Sequence, residues 1–350
     1  MKVIHIESGL GNQMLSFCEY LAMRKANPED DIYIENIIYD IPECNNITCQ
    51  WNGYELENIF KIKTENIKKL FSESEWSEIM REIRESRFWS KNMNYPVYFT
   101  KAFANHGLSL VNTFGDFEEE RFKSEYNERY NRHKLKNKLK KTQLYMRLKM
   151  WKMRRPLPLA QLDCKSELFI KSEEPLFAGQ KLKFKYKGSG LELIENEVRK
   201  VFTFPEIKDK KNHDAFSYIK ETDSVAIHAR RGDMLGNNYP CYATGYFKRA
   251  VKLIRRHTSN PVFFIFCDPG SVKWAKDNAD ILGLDGRKDR IVFVDWNSGT
   301  ESYRDMQLMA QCKHQVITNS SFGWWGAWLN TNPDKITCSP SFRINTTHTV

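Results

Sequence analysis

Two adjacent arginines follow an apolar stretch in the C-terminal half of the chain. The segment SVAIHARRGDM begins as a buried strand would and continues into Arg230, Arg231, Gly232 and Asp233. Two guanidinium groups at the end of a core strand are costly unless an anion meets them. Their planar forks suit bidentate contacts with phosphate oxygens, which favours a diphosphate ligand. The alternative is an internal salt bridge between an arginine and Asp233 at the sheet edge.

Polar residues also follow two other apolar segments. Asp268 comes directly after VFFIFC, where its carboxylate would either cap the next helix or pair with two N–H donors of a base such as guanine. Asn319, Ser320 and Ser321 lie where QVITN passes into SFGWWGAWLN, so that hydroxyls and helix N-terminal amides are available to phosphate. Plain N-capping is the alternative interpretation of these three residues.

Apolar strands alternate with helices throughout the C-terminal part of the chain, which predicts an α/β fold with a parallel sheet and helices on both faces. In such sheets ligands lie beyond the carboxyl ends of the strands, so Arg230, Asp268 and Asn319 should converge there. The predicted strands are SVAIHA, VFFIFCD, RIVFVDW, QVITN and KITCSP, and the predicted helices are ATGYFKRAVKLIRRH, SVKWAKDNADIL, SYRDMQLMAQC and SFGWWGAWLN. In the last helix we expect Trp324, Trp325 and Trp328 to be core residues.

The N-terminal half gives a weaker pattern. It begins with a strand KVIHI, a turn ESGLGNQM and a helix that starts LSFCEYLAMRKA, and further helices are expected near residues 65 to 86. The turn lacks the third glycine of a dinucleotide fingerprint and is weak evidence by itself. Because 350 residues are long for one core, and KYKGSG marks a break, we predict two domains, 1–187 and 188–350.

The net charge of +10 is concentrated in one segment. Residues 132 to 155 hold eleven Lys and Arg and no acidic residue, so the rest of the chain is close to neutral. Apolar residues interleave these charges at roughly helical spacing, which is typical of a surface that meets anionic lipid or a phosphate-bearing carrier. A solvated helix face is the alternative, and the lack of a recognised binding module argues against nucleic acid as a partner.

The remaining composition indicates a cytoplasmic protein, with possible peripheral contact at the inner face of a membrane. The N-terminus turns polar within a few residues, and no apolar run approaches the roughly 18 residues of a spanning helix. The eight cysteines are scattered without a Cys-x-x-Cys pair, which favours reduced thiols. No Asp-x-Asp and no histidine cluster with ligand spacing occurs, so no metal site is predicted.

Three segments together resemble the bacterial α-1,2-fucosyltransferases of glycosyltransferase family 11. They are GLGNQM, IHARRGD and DMQLMAQCKHQVITNSSFGWWGAWLN, and the likeness covers residues 1 to 26 and 190 to 340. The resemblance implies a GT-B arrangement, in which two Rossmann-like domains face across a cleft. It also implies an N-terminal acceptor-side domain, a C-terminal domain that binds GDP-fucose, and inverting transfer without an essential metal.

The resemblance also implies roles for individual residues. Arg230 would hold the diphosphate, His228 and Asp268 would contact the guanosine, and Ser320 and Ser321 would add phosphate contacts. Asn12 and Gln13, from the N-terminal domain, would lie near the fucose. The sequence departs from the family at Glu7 and Ser8, where small glycine-rich residues are usual, and it stops at SFRINTTHTV, where relatives commonly carry a further aromatic segment.

These expectations combine into one reaction, the transfer of L-fucose from GDP-β-L-fucose to a galactose 2-hydroxyl. The acceptor would be a galactose-containing oligosaccharide or glycolipid. Arg230 would stabilise the departing diphosphate, and Asp233 is the candidate to orient or deprotonate the acceptor. An equal alternative for Asp233 is to orient Arg231 or a backbone amide. Two rival functions are a GDP-sugar transferase with another acceptor or linkage and a non-catalytic protein that binds polyanions or membranes. A test of GDP binding distinguishes an enzyme, which should bind GDP, from the non-catalytic protein.

Overall fold

The computed structural model describes residues 1–46, 52–90, 96–113, 144, 148, 170–179 and 190–340. The described residues cluster in two compact units, one that extends through Val201 and one that begins at Phe202. Each unit contains a parallel sheet with helices, so the predicted α/β class is confirmed. The predicted domain boundary at residues 187 and 188 falls outside the described ranges and stays a prediction.

The sheet of the first unit has four strands in the order β2-β1-β4-β3, all parallel to their neighbours. The strand predicted from KVIHI is confirmed as β1. The other strands carried no usable sequence signal because they are only two to four residues long, too short to show an alternating pattern. The strands are β1 (Lys2–His5), β2 (Ile32–Glu35), β3 (Val111–Asn112) and β4 (Leu176–Ala178).

The helices expected near residues 65 to 86 are confirmed. The longer of them begins with a capping box, in which Ser72 and Glu75 satisfy each other's backbone N–H groups. The first helix, however, begins at Leu10, so the prediction that the turn extends through Met14 is wrong. The described α-helices of this unit are α1 (Leu10–Ala26), α2 (Glu55–Phe60), α3 (Glu73–Glu85), α4 (Pro96–Asn105) and α5 (Glu195–Val201).

The early start of α1 has a tertiary cause. The backbone N–H of Leu10 donates to the buried Glu55 carboxylate at 3.0 Å, and the backbone N–H of Glu55 donates to Gln13 Oε1 at 2.8 Å. Glu55 therefore accepts a hydrogen bond from one of the first N–H groups of α1. In most helices the side chain of the N-cap residue is the acceptor for such a group. A partner more than forty residues away along the chain leaves no local sequence signal.

The sheet of the second unit has five strands in the order β7-β6-β5-β8-β9, again all parallel. All five predicted strands are confirmed. The chain runs from β5 outward to β7 and then continues on the other side with β8, so the direction of winding reverses between β5 and β8. Ligands of open parallel sheets bind at such a reversal. The strands are β5 (Asp223–Ala229), β6 (Pro261–Cys267), β7 (Arg290–Val294), β8 (His314–Ile317) and β9 (Thr337–Cys338).

The helices of the second unit follow the predicted order, with two additions, one at residues 210–221 and one at residues 235–243. The sequence pattern missed the helix at residues 235–243 because Gly236 and Pro240 interrupt it, and Gly245, at φ +72°, separates that helix from the next. The described α-helices here are α6 (Lys210–Glu221), α7 (Leu235–Ala243), α8 (Tyr246–Ile254), α9 (Val272–Asp277), α10 (Tyr303–Gln311) and α11 (Ser321–Trp328).

The three tryptophans of α11 are buried, which confirms their predicted place in the core. The Trp324 and Trp325 rings meet edge to face with centroids 4.9 Å apart, and Trp325 makes a similar contact with Phe202 at 5.2 Å. Such pairs add about 0.5–1.5 kcal/mol to the area that they bury. This packing fixes the first turn of α11 beside the end of β8.

Two sequence predictions concern the surface of the protein. No helix within the described residues is long and apolar enough to cross a bilayer. The basic segment 132–155 lies outside the described residues except for Leu144 and Leu148, which are exposed. The predicted contact of this segment with anionic lipid stays a prediction.

Candidate functional site

Arg230 follows the last residue of β5, at the point where the winding of the sheet reverses. Its backbone N–H donates to Thr318 Oγ1 at 3.1 Å, and Thr318 in turn donates to the His228 carbonyl at 3.1 Å. The Arg230 carbonyl accepts from Tyr242 Oη at 2.9 Å and from Asn238 Nδ2 at 3.1 Å. Groups from the end of β8 and from α7 therefore hold the main chain of Arg230 in place.

The Arg230 guanidinium bridges two carboxylates. Its Nη1 lies 2.5 Å from Asp268 Oδ1, and its Nη2 lies 2.9 Å from Asp233 Oδ1. The side chain of Arg230 is 17% exposed, that of Asp233 is 36% exposed and that of Asp268 is 4% exposed. The internal salt bridge to Asp233, which was the alternative interpretation, is thus present. Asp233 pairs with Arg230 and not with Arg231, which it was alternatively expected to orient. The pairing with Asp268 was not predicted.

Asp268 joins the two arginines. Its Oδ1 pairs with Arg230, and its Oδ2 accepts the backbone N–H of Arg231 at 2.7 Å. It makes no side-chain bond to the short 3₁₀ turn Pro269–Ser271, so the helix-cap interpretation is wrong. A methyl group at Gly232 would lie 3.2 Å from the Asp268 carboxyl carbon, and Gly232 has φ +27°. Glycine permits both this close approach and the backbone conformation. The predicted contact with guanine stays a prediction.

Arg231 lies against aromatic rings. Its guanidinium carbon is 3.5 Å from the ring centroid of Trp274 and 5.0 Å from that of Tyr242. Burial lowers the pKa of Arg231 from its ordinary value. A cation on an aromatic face gains about 0.5–2 kcal/mol and keeps a fixed orientation. Sequence analysis missed both aromatic residues because neither adjoins the arginines along the chain.

His228 is buried beneath the site. Its ring stacks on Phe322 with centroids 5.8 Å apart, and its Nδ1 is buried with no hydrogen-bond partner among the described residues. Burial, together with the charge of Arg230, lowers the pKa of His228 to about 4, although the charge of Asp268 opposes this shift. The ring is therefore neutral at physiological pH. A methyl group at Gly323 would come within 2.4 Å of Nδ1, so helix α11 packs directly on the ring.

Within the described residues, the N-cap side chain of α11 does not bond to the first turn of the helix. Ser320 occupies the N-cap position in an extended conformation, with φ −157°, and makes no side-chain cap hydrogen bond. N-capping by Ser320, the alternative interpretation, is therefore wrong. Uncapped N–H groups at a helix start are suited to an anion. Ser320 and Ser321 are half-buried at this point. Whether they contact phosphate stays a prediction.

Asn319 is buried, and Asn238 fixes its backbone. The Asn319 N–H donates to Asn238 Oδ1 at 2.9 Å, and the Asn319 carbonyl accepts from Asn238 Nδ2 at 3.3 Å. Because Asn238 also donates to the Arg230 carbonyl, one amide side chain ties the end of β5 to the end of β8. Sequence analysis missed Asn238. The amide of Asn238 can both donate and accept, which lets it bond to Arg230 and Asn319 at once. Nothing in the sequence around Asn238 indicates these two partners.

The two N-terminal candidates lie in the first unit, on the first turn of α1. Gln13 is buried, and its Nε2 donates to the carbonyls of Ser8 at 2.9 Å and Gly53 at 3.0 Å. Because its Oε1 also accepts from Glu55, this side chain holds three segments of the unit together. Asn12 is half-buried. The expected proximity of Asn12 and Gln13 to the fucose stays a prediction.

A comparison with known proteins matches the part of the chain that contains the candidate residues of the second unit. Residues 195–342 match the family model Glycosyl transferase family 11, which confirms the predicted resemblance for this part of the chain. The match includes all five strands of the second unit and every candidate residue from His228 to Ser321. It does not include the sheet of the first unit.

Several curated proteins are similar to the chain. An alpha-1,2-colitosyltransferase from Escherichia coli is 32% identical over 153 residues, which cover 42% of this chain and 50% of that protein. The O-antigen biosynthesis glycosyltransferase WbnK, also from Escherichia coli, is 32% identical over 126 residues, or 35% of this chain and 39% of that protein. Galactoside alpha-(1,2)-fucosyltransferase 1 from Ateles belzebuth is 28% identical over 116 residues, or 30% and 28%. The matched stretches thus span half or less of these relatives.

Proposed function

We propose that the protein is an inverting galactoside α-1,2-fucosyltransferase. Its donor is GDP-β-L-fucose, and its acceptor is the 2-hydroxyl of a galactose-containing glycan. The observation that carries the proposal is the position of Arg230, at the winding reversal of a parallel sheet and within 2.9 Å of an exposed carboxylate that an incoming anion can replace. The family match over the same residues and the names of the relatives support it.

In this proposal the donor diphosphate takes the place of Asp233 on Arg230. The four charged side chains Arg230, Arg231, Asp233 and Asp268 are formally neutral together, so displacing one carboxylate from Arg230 would leave a net positive charge facing the diphosphate. Asp268 is buried and bonded at both oxygens, whereas Asp233 is more exposed and accepts one of the bonds from Arg230. Asp233 is therefore the exchangeable partner, and Asp268 keeps the guanidinium in place for the diphosphate.

The exchange couples donor binding to the chemical step. Released from Arg230, the Asp233 carboxylate accepts the proton of the galactose 2-hydroxyl, directly or through a water molecule. The bond from that oxygen to the anomeric carbon forms while the bond to the β-phosphate oxygen breaks, and GDP departs with the electron pair. Negative charge grows on the diphosphate as it leaves, so the fixed Arg230 charge stabilises the transition state more than the ground state.

The other candidate residues fit around the same donor. The amides at the start of α11 and the hydroxyls of Ser320 and Ser321 contact the diphosphate, and Asn319 positions that turn through Asn238. His228 and Asp268 contact the guanosine, and Asn12 and Gln13 lie near the fucose. The proposal includes the GT-B architecture, contact of residues 132–155 with anionic membrane, and a reaction that needs no metal ion.

A second donor deserves a direct comparison because one relative at 32% identity is named as a colitosyltransferase. The test is to offer the protein GDP-fucose and GDP-colitose separately, each with a panel of β-galactosides, and to determine the product linkage. We expect transfer from GDP-fucose and an α-1,2 linkage. Preferential use of GDP-colitose would change the proposed donor and leave the proposed diphosphate chemistry intact. If the protein releases GDP from neither donor, the proposal is overturned.

The metal-free reaction has its own test. Arg230 and the α11 amides carry the leaving-group charge in the proposed mechanism, so activity in excess EDTA should equal activity with added Mg²⁺ or Mn²⁺. A loss of activity in EDTA that Mn²⁺ restores would contradict the proposed handling of the leaving group.

A further inference from the structure

The exposed side of α8, in the second unit, carries four cations. Lys252 lies one helical turn after Lys248 and Arg249, and Arg256 follows in the turn that ends the helix. All four residues are exposed. The opposite side of α8 packs into the core of the unit, so the helix holds these cations at the surface. Its buried residues are Phe247, Ala250, Val251 and Ile254.

These cations repel one another, and α8 contains no acidic residue to compensate them. Lys248 and Arg249 lie in the first turn, where the helix dipole disfavours positive charge. Lys252 and Arg256 form no ion pair within the described residues. Lys248 approaches Asp280 only at 4.0 Å, and both side chains are well exposed, while Arg249 donates to a backbone carbonyl. Like charges one turn apart destabilise a helix, so this arrangement has a cost.

Other surface helices of the protein compensate their cations with an acid four residues away. The pairs are Arg81–Glu85 in α3, Glu195–Arg199 in α5 and Lys210–Asp214 in α6, with 3.3, 2.8 and 2.7 Å between the charged atoms. Such pairs stabilise a helix slightly. The uncompensated charge of α8 is therefore a local feature, and an anionic partner would relieve its repulsion.

An apolar side chain is exposed among these cations. Leu253 is 40% exposed, although Ile254 beside it is buried. Leucine between cations on one side of a helix is typical of contact with a bilayer surface, where the cations meet lipid phosphates and the apolar group enters the headgroup region. Single-stranded nucleic acid favours exposed aromatic rings instead. The aromatic residues of α8 are half-buried Tyr246 and buried Phe247.

We propose that the exposed side of α8 is a docking surface for an anionic phospholipid bilayer. Lys248, Arg249, Lys252 and Arg256 contact the lipid phosphates, and Leu253 enters the headgroup region. The surface goes beyond the proposed reaction and does not depend on it, because none of these residues belongs to the candidate donor site. It is also distinct in the sequence from the basic segment 132–155.

The test is sedimentation with vesicles of equal parts phosphatidylglycerol and phosphatidylcholine at low salt. Lys252→Gln combined with Arg256→Gln should lower the partition coefficient about 20-fold, because each cation near an anionic surface contributes about fivefold. Lys208→Gln combined with Lys211→Gln is the matched control and should have no effect. These two lysines are exposed in the same unit and form no ion pair within the described residues. Thermal unfolding checks that both variants are folded.

The basic segment 132–155 needs its own control, because its binding could hide a loss at α8. Both double variants are therefore measured again in a protein that also carries Lys138→Gln, Lys140→Gln and Lys141→Gln. The 20-fold difference between the α8 variant and its control should persist there. An equal partition coefficient of the two variants in this background would overturn the docking surface.

Leu253→Ser separates a bilayer from a soluble polyanion. It should weaken binding to the anionic vesicles severalfold and leave binding to a 20-base-pair DNA duplex unchanged, because only the bilayer offers an apolar region to the leucine. Two further results would overturn the proposal. One is equal binding of wild type to pure phosphatidylcholine vesicles. The other is loss of DNA binding, without loss of vesicle binding, when Lys252 and Arg256 are changed to Gln, which would assign α8 to nucleic acid.

Discussion

Each unit of the protein has a cation between a buried carboxylate and a more exposed one, at the carboxyl end of an interior strand. In the first unit His5 lies between Glu35 and Glu7. In the second unit Arg230 lies between Asp268 and Asp233. The cations differ in one respect, because the His5 imidazolium loses its proton as the pH rises through its pKa of about 9 and a guanidinium keeps its proton. The second cluster therefore keeps a permanent charge, which suits a site for a diphosphate.

The two buried histidines of these clusters teach a related point. His5 and His228 are both almost completely buried. The pKa of His5 is raised to about 9, because a carboxylate partner overcomes the effect of burial, and the pKa of His228 is lowered to about 4, because burial and the neighbouring Arg230 act in the same direction. The partner of a histidine thus decides its charge when the extent of burial is the same.

The largest expected effect comes from replacing the permanent cation. Arg230→Lys should reduce turnover by about 10² to 10³-fold, the usual loss for one preorganised group that stabilises transition-state charge. Lysine keeps a positive charge beside the buried Asp268 but lacks the planar fork, so the fold should survive better than in an alanine variant. Steady-state kinetics with a soluble β-galactoside provides the measurement. Near-full activity in a folded Arg230→Lys protein would remove Arg230 from the mechanism.

A smaller effect is expected from crowding the neutral histidine. Gly323→Ala would place a methyl group 2.4 Å from His228 Nδ1. Overpacking of this kind costs about 1–3 kcal/mol, so the free energy of unfolding should fall by that amount. Gly236→Ala is the matched control, because Gly236 is also helical and has no neighbour within 4 Å of the added methyl group. Equal stability of the two variants in urea would contradict the packing of α11 on His228.

The pH dependence of the two units should run in opposite directions. His5 has a raised pKa, so its contribution to stability is fully present below pH 6.5 and is lost as the pH rises through about 9. His228 has a lowered pKa, so its contribution is present above pH 6.5 and is lost as the pH falls through about 4. Imidazole NMR titration, with His5→Asn and His228→Asn variants for assignment, checks both values. Titration of both rings near pH 6.5 would refute the contrast.

Much of the second unit was predictable from sequence. Its strands are apolar runs separated by amphipathic helices, a pattern that local composition produces directly. Parallel strands bring their carboxyl ends to one edge, so the convergence of Arg230, Asp268 and Asn319 followed without any knowledge of side-chain contacts. The tryptophans of α11 were expected to be core residues, and the structure confirms this.

The parts that could not be predicted depend on contacts between distant segments. The salt bridge of Asp268 to Arg230 and its hydrogen bond to the Arg231 amide, 37 residues away along the chain, were not among the expected contacts of Asp268. Asn238 and Trp274 belong to the site because of how α7 and α9 pack, which no local pattern encodes. The short strands β3 and β4 form because their neighbours in the sheet pair with them.

The most direct test of the central claim is a calorimetric titration of GDP into wild type and Asp233→Asn. The account predicts that wild type binds GDP and that Asp233→Asn binds it up to about fivefold more tightly, because the diphosphate no longer has to break an exposed ion pair. Asp334→Asn, the same charge change at another exposed position, should leave the affinity unchanged. No GDP binding by wild type, or weaker binding by Asp233→Asn, would contradict the claim that Arg230 exchanges Asp233 for the diphosphate.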